Sequence, residues 1–546
     1  MNSLQSFFSD VENRSKFSCE LGEKGGYLNF RNSGQRGSVK EFTISLTSVL
    51  SGLKDIRDNL NAFSNLENYV EGSWRDAGAK YFSDLALNSI ITVQTKPCFT
   101  TFSKIINWAN ENSSYDDNQI DLSKSSLDKA ILELEKLSSS YTPKSYHASN
   151  ISKAPIGMIM LAKPFLLLAG ISGTGKSRFV REQASSKENF CSISVRPDWH
   201  EPSDLLGYVS RLTGTVEYSP TDALSFIVQA WANAWDHSNT TENELAIVDP
   251  SLMETFWLCL DEMNLAPVEQ YFADYLSVIE SRKWAAGKYT CDPLLKASAF
   301  KCLEEAELKK LRKQLGVEDS QYDNMWQYFS TIGIPVPPNL IVAGTVNMDE
   351  TTHGFSRKVI DRALTIDFGK FFPNDFDHYL KQKVKPKAFT FPVLSEVNVD
   401  DLANITADPK GEKTIQFCKN LNEKLKDSSF ELAFRALNEL LISLVCVNPK
   451  DEAALQAVWD DFLMTKVLPR IEGDRDKLSV IGSDETILSQ LSTLVTTHFA
   501  AIQTERPDFF REKMNGDSLT IPCRSHEKIR WMEKRLETNG FTAFWP

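Results

Sequence analysis

The residues best suited to chemistry in this chain form a glycine-rich run that ends in a lysine and a serine. The run consists of Gly170, Ile171, Ser172, Gly173, Thr174, Gly175, Lys176 and Ser177, a complete G-x-x-x-x-G-K-[ST] pattern. In this pattern backbone N–H groups surround nucleotide phosphates, the lysine reaches the β- and γ-phosphates, and the hydroxyl holds Mg²⁺. We therefore predict a nucleoside triphosphate site in which Lys176 contacts phosphate and Ser177 is a Mg²⁺ ligand.

The residues on either side of the run have the character that such a loop requires. Residues 165–169 are apolar and predict a buried parallel strand, and residues 177–182 are suited to open a helix. A strand, a glycine-rich loop and a helix in this order form the structural context in which the pattern binds phosphate. These flanks disfavour the alternative, a glycine-rich turn that binds nothing.

Two carboxylates predict the second half of the site. The apolar residues 256–260 indicate a buried strand, and Asp261 and Glu262 follow at its carboxyl end, the edge at which open parallel sheets bind ligands. Asp261 would hold the Mg²⁺ shell, and Glu262 would orient the attacking water. Adjacent acids at a strand end are common, so this pair predicts a nucleotide site only in combination with the glycine-rich run upstream.

A third predicted strand ends in an amide. Residues 339–347 have the sequence Asn-Leu-Ile-Val-Ala-Gly-Thr-Val-Asn, which would bring Asn347 to the same edge of the sheet, between the γ-phosphate and the attacking water. Asparagine also favours turns at strand ends. The residues alone leave these two interpretations of Asn347 open.

The composition is that of a globular protein with several domains. The chain has 546 residues, a formal net charge of −13 and nine cysteines, none of them in a C-x-x-C pair. This cysteine pattern indicates a reducing compartment rather than a disulfide framework or a zinc site. With no basic and apolar leader and no apolar run of about 20 residues, the length of a membrane span, we predict a cytoplasmic protein without a membrane segment. The negative charge argues against coating nucleic acid and leaves a local contact with DNA open.

Three regions are predicted along the chain. Residues 1–150 carry no motif and are predicted to form a separate targeting or interaction domain, either α+β or mostly helical. Residues 151–372 are predicted to form an α/β core, a parallel sheet with flanking helices. Residues 373–546 are predicted to form a helical lid and C-terminal region, because apolar positions recur at helical spacing over 413–447, 451–470 and 485–502.

Three motifs together resemble the AAA+ superfamily, and most closely its McrB-like branch, the motor subunits of modification-dependent restriction and anti-phage defence systems. The resemblance lies in residues 170–177, in Asp261-Glu262-Met263-Asn264-Leu265-Ala266 and in Gly344-Thr345-Val346-Asn347-Met348-Asp349-Glu350-Thr351-Thr352, and it continues into residues 355–363. It covers roughly residues 155–372, with weaker similarity at 434–435 and 466–471.

The resemblance implies an AAA+ NTPase that hydrolyses ATP or GTP and forms a homo-oligomeric ring, expected to be a hexamer. Asn347 would be the family's sensor residue. Arg362, with Arg357 as the second candidate, would act in trans on the γ-phosphate bound by a neighbouring subunit. Without the resemblance, Asp361 and Arg362 would be interpreted as a local ion pair on a helix.

The resemblance also implies partners. Motors of this kind act with a separate McrC-like nuclease subunit on foreign or modified DNA, and the chain itself has no convincing nuclease motif. A MoxR-like chaperone that remodels protein partners has the same core and is the alternative. A scaffold gated by nucleotide without hydrolysis is disfavoured, because Lys176, Asp261, Glu262 and Asn347 are all present.

Two segments leave further alternatives open. McrB has an aspartate shortly after its Met-Asn pair, whereas this chain has Glu350 at that position. The change weakens the expectation of GTP as substrate, so ATP is our first choice and GTP stays open. Residues 211–218 predict a hairpin with Gly214 at its turn. This resembles the insertion in the second helix of the clade, which points into the ring's pore, but an ordinary surface hairpin is equally compatible.

Overall fold

The computed structural model divides the chain into two compact units, residues 1–145 and 146–546. In the first unit it describes three strands and Leu132. In the second it describes residues 158–545 apart from gaps at 212–213, 237, 242–243, 248–249, 286–287, 348–353, 374–375, 377–382 and 481. Within these described residues, no helix has the length and apolar character needed to cross a membrane.

The described strands of the first unit form an antiparallel sheet in which neighbours in sequence are also neighbours in space. They are Phe17–Leu21, Tyr27–Ser33 and Val39–Ser45. Antiparallel neighbours of this kind need only short connections. The strands are compatible with the α+β form of the predicted N-terminal domain, and the mostly helical form concerns residues outside the described part.

The second unit contains a five-stranded parallel sheet, as predicted for an α/β core. We number its strands β1 (Phe165–Ala169), β2 (Phe190–Ser194), β3 (Phe256–Asp261), β4 (Leu340–Val346) and β5 (Leu364–Asp367). Their order in space is β5-β1-β4-β3-β2. Every residue of β1 and β4 is buried, as expected for parallel strands covered on both faces.

Helices flank this sheet. The longer ones that contact it are α1 (Lys176–Gln183) and α2 (Asp222–Asp236). Two further long helices, α3 (Glu305–Gln314) and α4 (Asp323–Ile332), pack against the short strands Glu217–Pro220 and Gly333–Pro335. Helix α2 buries Leu224, Ile227, Val228 and Trp231, whose spacing of three or four residues places them on one face. The shorter helices of the second unit are Pro202–Leu206, Val268–Tyr271, Ala273–Val278, Ser298–Lys301, Arg357–Ile360, Phe368–Phe371 and Val399–Leu402.

Small sheets surround the core. The strands Gly207–Ser210 and Glu217–Pro220 pair antiparallel, and Gly214 between them has a left-handed φ of 86°. The predicted hairpin is therefore confirmed, although its first strand ends before residue 211 and its second extends to residue 220. The other short strands of the core region are Ser238–Thr241, Glu244–Ile247, Lys283–Ala285, Lys288–Thr290, Pro293–Lys296 and Gly333–Pro335.

The C-terminal region is helical over the stretches that the sequence predicts, but the helices are broken. They are α5 (Glu412–Leu425), α6 (Phe434–Val447), α7 (Glu452–Phe462), α8 (Ile487–His498) and α9 (Arg524–Asn539). Asp427, with a φ of 60°, lies in the break between α5 and α6. Helix α7 continues into a π turn at Leu463–Val467, a rare geometry that is often found at functional positions.

The same region also contains strands, which the sequence analysis did not predict. They are Val384–Pro386, Ala388–Thr390, Glu472–Asp474, Arg506–Lys513, Ser518–Ile521 and Phe541–Ala543. Ala388–Thr390 pairs with Met158–Met160, a short strand that precedes β1. The region packs on the core: Lys528 donates from Nζ to Oδ2 of Asp367 at 2.7 Å. Most of these strands have three or four residues, too few to produce an alternating pattern above the helical signal around them.

A fully buried charge cluster joins α7, α9 and the strand Arg506–Lys513. The guanidinium of Arg506 donates to Asp460 and to Asp461, each at 2.6 Å, and the side chains of Arg506 and Asp460 are 0% exposed. Asp460 also accepts the first two backbone N–H groups of α9, from Arg524 at 3.0 Å and Ser525 at 2.8 Å. Burial works to raise the pKa of Asp460, but Arg506 and Ser525 outweigh it and hold that pKa below its usual value.

We expect Arg506→Met to destabilise the protein strongly. The change removes the cation between two buried carboxylates, and breaking a buried pair costs about 3–5 kcal/mol. Urea unfolding measures the loss. Lys413→Met is the matched control, because it removes an exposed ion pair with Glu452 at 2.7 Å, worth about 0–1 kcal/mol. Equal losses in the two variants would contradict the role given to Arg506.

Candidate functional site

The glycine-rich run forms the loop between β1 and α1. Gly173 and Gly175 have left-handed φ values of 80° and 87°, and a Cβ atom at either would meet nothing within 4 Å. Glycine is therefore required here by the backbone conformation, which other residues adopt at a cost, and not by lack of space. The loop ends at the N-terminus of α1, where free N–H groups and the helix dipole favour an anion.

Lys176 is the first residue of α1, and its side chain folds back over the loop. Its Nζ donates to the carbonyl oxygens of Gly170 and Ile171, each at 2.9 Å. Burial lowers the pKa of Lys176, while the nearby carboxylates of Asp261 and Glu262 act to raise it. The ammonium thus lies inside the loop, between its backbone and the two acids.

Asp261 joins the loop to the sheet. Its Oδ1 accepts the hydroxyl of Ser177 at 2.5 Å and the hydroxyl of Thr345 at 2.7 Å. Asp261 is the last residue of β3, Ser177 is in α1, and Thr345 is in β4. A single carboxylate oxygen therefore connects three elements at the carboxyl edge of the sheet.

Glu262 follows in an unusual backbone conformation. Its φ and ψ are 54° and 49°, the left-handed region that residues other than glycine seldom occupy. The N–H of Glu262 donates to the hydroxyl oxygen of Thr345 at 2.9 Å. Its side-chain Oε1 accepts from Nδ2 of Asn347 at 3.2 Å. The strained turn thus directs Glu262 to the same edge as the loop.

The order of the strands explains why Asn347 meets the acids. Strand β4 lies between β1 and β3, so the residue that follows it comes between the glycine-rich loop and the acid pair. Asn264, which is fully buried, donates from Nδ2 to the backbone carbonyl of Asn347 at 2.9 Å. The structure therefore places Lys176, Ser177, Asp261, Glu262 and Asn347 at one edge of the sheet, and their roles stay predictions.

The sequence analysis gave no role to Thr345 or Asn264. The Thr345 hydroxyl donates to Asp261 and accepts from the backbone N–H of Glu262. Asn264 holds the backbone of Asn347, which contacts Glu262. The signal for Thr345 was its hydroxyl in the otherwise apolar strand Leu340–Val346, since a buried polar group must find a partner. Its two partners depend on the register between β4 and β3, which local sequence does not reveal.

Gly344 in β4 allows a close approach to the turn after β3 that carries Glu262. A Cβ atom at Gly344 would lie 2.3 Å from Sδ and 3.2 Å from Cβ of Met263. Met263 follows Glu262 directly, and its side chain is fully buried. The absence of a side chain at Gly344 therefore makes room for the turn that carries Glu262.

The two arginines named in the sequence analysis have other partners in this chain. Arg357 donates from Nη2 to the hydroxyl of Ser429 at 3.0 Å, and its guanidinium lies 4.9 Å from the ring centre of Phe430. Arg362 donates from Nη1 to the carbonyl of Lys358 at 3.1 Å, and its Nε lies 3.8 Å from Oε1 of Glu280. None of these partners belongs to the group around Asp261, so a role in trans stays a prediction. Glu350, the residue that bears on ATP against GTP, lies outside the described residues.

The donor set around Asp261 fits Mg²⁺. A hydroxyl and a carboxylate oxygen lie side by side at Ser177 and Asp261, and Mg²⁺ prefers oxygen ligands, keeps several waters and uses one or two carboxylates with substrate phosphates. Across the described part of the chain, no three His, Cys, Asp or Glu side chains cluster in a way that would hold a metal ion. A metal at Asp261 would therefore depend on phosphate and water for its remaining ligands.

Comparison with known families gives a match in the C-terminal region. A family model described as a domain of unknown function, DUF8727, matches residues 395–541. No curated protein sequence matches the chain. The family's description names no activity, and the matched residues do not include the loop, the acids or Asn347.

We expect Thr345→Val to slow the predicted nucleotide hydrolysis about 10- to 100-fold, the size of effect seen when a residue that orients a metal ligand is lost. Valine has the shape of threonine but leaves Oδ1 of Asp261 and the N–H of Glu262 without the hydroxyl. Phosphate release from Mg-ATP and Mg-GTP measures the effect.

Thr345→Ser is the matched control, since it keeps the hydroxyl and loses only a methyl group. Serine is expected to retain most of the turnover. If valine and serine variants hydrolyse at the same rate, the hydroxyl does not organise the acids.

Proposed function

We propose that the chain is a Mg²⁺-dependent nucleoside triphosphatase of AAA+ type, with ATP or GTP as its substrate. The observation that carries the proposal is the convergence of a phosphate loop, two acids and an amide at one sheet edge. Ser177 lies 2.5 Å from Asp261, and Asn347 lies 3.2 Å from Glu262. A glycine-rich turn that bound nothing would require neither contact.

The triphosphate would occupy the loop between β1 and α1. Backbone N–H groups and the N-terminus of α1 would bind the phosphates. Lys176 would exchange the carbonyl oxygens of Gly170 and Ile171, now 2.9 Å away, for phosphate oxygens. Ser177 and Asp261 would hold Mg²⁺, which when bound neutralises charge that develops on the β- and γ-phosphates.

Hydrolysis would use Glu262 and Asn347. The oxygen of a water forms a bond to the γ-phosphorus, the bond from that phosphorus to the bridging oxygen breaks, and Glu262 accepts the proton of the water. Asn347 holds Oε1 of Glu262 at 3.2 Å and so fixes the direction of the carboxylate. The products are a nucleoside diphosphate and inorganic phosphate.

The resemblance to McrB-like proteins extends the proposal to assembly and partners. The chain would form a ring, expected to be a hexamer, in which Arg362 of one subunit contacts the γ-phosphate bound by the next. The ring would drive a McrC-like nuclease subunit on foreign or modified DNA. Stimulation of turnover by DNA and by such a nuclease supports this function. Stimulation by a protein substrate without DNA supports the MoxR-like alternative instead.

We expect Lys176→Ala to abolish nucleotide binding and Glu262→Gln to keep binding while losing hydrolysis. Lys176 contacts phosphate in this mechanism, whereas Glu262 acts only on water, and loss of a general base costs about 100-fold or more. Equilibrium binding of labelled ATP and GTP is measured beside steady-state phosphate release.

Arg178→Met is the control for these two variants, because Arg178 is next to Ser177 but its side chain is 73% exposed. Its binding and turnover are expected to remain near those of the wild type. Normal turnover in Glu262→Gln would contradict the role of Glu262 in hydrolysis. Tight nucleotide binding by Lys176→Ala would contradict phosphate binding by the loop.

A mixing experiment tests the role of Arg362. Arg362→Ala subunits lack the arginine but keep their acids, and Glu262→Gln subunits lack the acid but keep the arginine. We expect each to be inactive alone and their mixture to regain part of the turnover, because one kind of interface then has both groups. No recovery in the mixture, or wild-type turnover that does not depend on protein concentration, would contradict action in trans.

A further inference from the structure

A second charge cluster surrounds the turn that carries Arg362. We call it the Asp361 cluster, and it consists of Lys163, Glu280, Asp361, Glu439, Lys466 and Arg470. Lys163 and Glu280 come from the α/β core, whereas Glu439, Lys466 and Arg470 come from the region that the DUF8727 family matches. The cluster therefore joins that domain to the core at the turn that ends the short helix Arg357–Ile360.

Two ammonium groups hold one backbone carbonyl in this cluster. Nζ of Lys163 donates to the carbonyl oxygen of Asp361 at 3.0 Å, and Nζ of Lys466 donates to the same oxygen. This carbonyl belongs to the peptide bond that joins Asp361 to Arg362, so the two lysines fix the orientation of the Arg362 backbone. Arg470 adds a contact from Nε to Oδ1 of Asp361 at 3.1 Å.

The arrangement is more costly than a helix end requires. Lys466 is 3% exposed and Glu439 is 7% exposed, and taking such charges out of water is unfavourable unless they are paired. Glu439 supplies the pairing, at 2.6 Å from Lys163 and 2.8 Å from Lys466. A terminal carbonyl can be satisfied by water alone, so two buried charges and the nearly buried Lys163, 12% exposed, around this carbonyl indicate that the position of the turn matters.

The side chain of Arg362 is held much more loosely than its backbone. Its Nε is buried and makes no hydrogen bond to any residue in the described part of the chain. The nearest carboxylate oxygen, on Glu280, is 3.8 Å away, and Glu280 also pairs with Arg435 at 2.9 Å. Three charged side chains therefore hold Asp361 at the turn, whereas the guanidinium of Arg362 has one hydrogen bond, from Nη1 to the carbonyl of Lys358 at 3.1 Å, and one long ion pair. This suits a group that must reach an anion on a neighbouring molecule.

We propose that Lys466 is a positioning residue for Arg362: by holding the carbonyl of Asp361, it sets the turn from which Arg362 reaches the nucleotide of the adjacent subunit. The inference rests on the proposed function, because it requires hydrolysis assisted in trans. It gives the matched C-terminal domain a task in the subunit that supplies the arginine. Lys466 would have no effect on the nucleotide site of its own subunit.

The test uses Lys466→Met in the full-length protein. Methionine has a similar length and no charge, and Glu439 keeps its contact with Lys163. We expect nucleotide binding and assembly to persist and turnover to fall about 100-fold, the loss that a misplacement of about 1 Å brings. Lys413→Met, which removes an exposed ion pair between α5 and α7, is the matched control and should hydrolyse normally.

Mixing distinguishes a positioning role from a merely structural one. A mixture of Lys466→Met with Glu262→Gln subunits should regain turnover, since the Glu262→Gln subunit supplies a well-placed arginine to the intact acid of its neighbour. A mixture of Lys466→Met with Arg362→Ala subunits should not, because neither supplies one. If Lys466→Met lowers stability, the double variant Lys466→Met/Glu439→Gln removes the paired charges together and carries the same test.

The outcomes separate this inference from the proposed function. Normal turnover in Lys466→Met overturns the inference. A second result would also overturn it: the mixture of Lys466→Met with Glu262→Gln regains no turnover, while the mixture of Arg362→Ala with Glu262→Gln does. Lys466 would then act on the nucleotide site of its own subunit. If the wild type does not hydrolyse nucleotide, the proposed function fails and the inference fails with it. If the wild type hydrolyses nucleotide but Arg362→Ala recovers in no mixture, action in trans fails and the inference fails with it, while the proposed hydrolysis stands.

Discussion

One oxygen of Asp261 holds the candidate site together. It accepts hydroxyl groups from Ser177 and Thr345, and these come from the helix after the phosphate loop and from the strand between the loop and the acids. If the carboxylate moved, the Thr345 hydroxyl that also binds the N–H of Glu262 would move with it. The positions of Glu262 and Asn347 therefore depend on this junction. A charged acceptor strengthens both bonds, because hydrogen bonds to an ionised group are stronger than neutral ones.

Local sequence predicted the parts of the site that are local. The loop, its strand and its helix form one continuous segment, and the acids directly follow an apolar run, so residue order alone indicated their roles. The contacts of Thr345 depend on how β4 lies against β3, and those of Asn264 on how a turn meets the end of β4. Register and turn packing are set by the whole sheet, and no short pattern encodes them.

The C-terminal region shows the same limit. Its helices follow apolar spacing and were predictable, although the break near Asp427 and the π turn were not. Its short strands and its buried charges arise from pairing between distant segments, such as Arg506 with Asp460 and Asp461. A charged residue in a sequence usually predicts an exposed position. These charged residues are buried instead, because opposite charges from distant segments pair with one another in space.

The C-terminal region also holds both ends of one core strand. Lys466 binds the carbonyl of Asp361 just before β5, and Lys528 binds the carboxylate of Asp367 at its end. Strand β5 lies beside β1, from which the phosphate loop leaves. Two buried lysines thus connect a region matched by a domain of unknown function to the strand next to the loop, and the core and this region belong to one compact unit.

The backbone of Glu262 has a consequence for engineering this protein. A left-handed conformation costs a residue such as glutamate about 1–3 kcal/mol, whereas glycine or asparagine accepts it readily. A search for heat-resistant variants would therefore enrich glycine or asparagine at position 262. Either replacement relieves the backbone strain and also removes the carboxylate. If Glu262 acts as proposed, stability and activity are opposed at this position, as is common where a strained residue serves a site. Selection for thermal tolerance in this chain would have to be coupled to a functional screen.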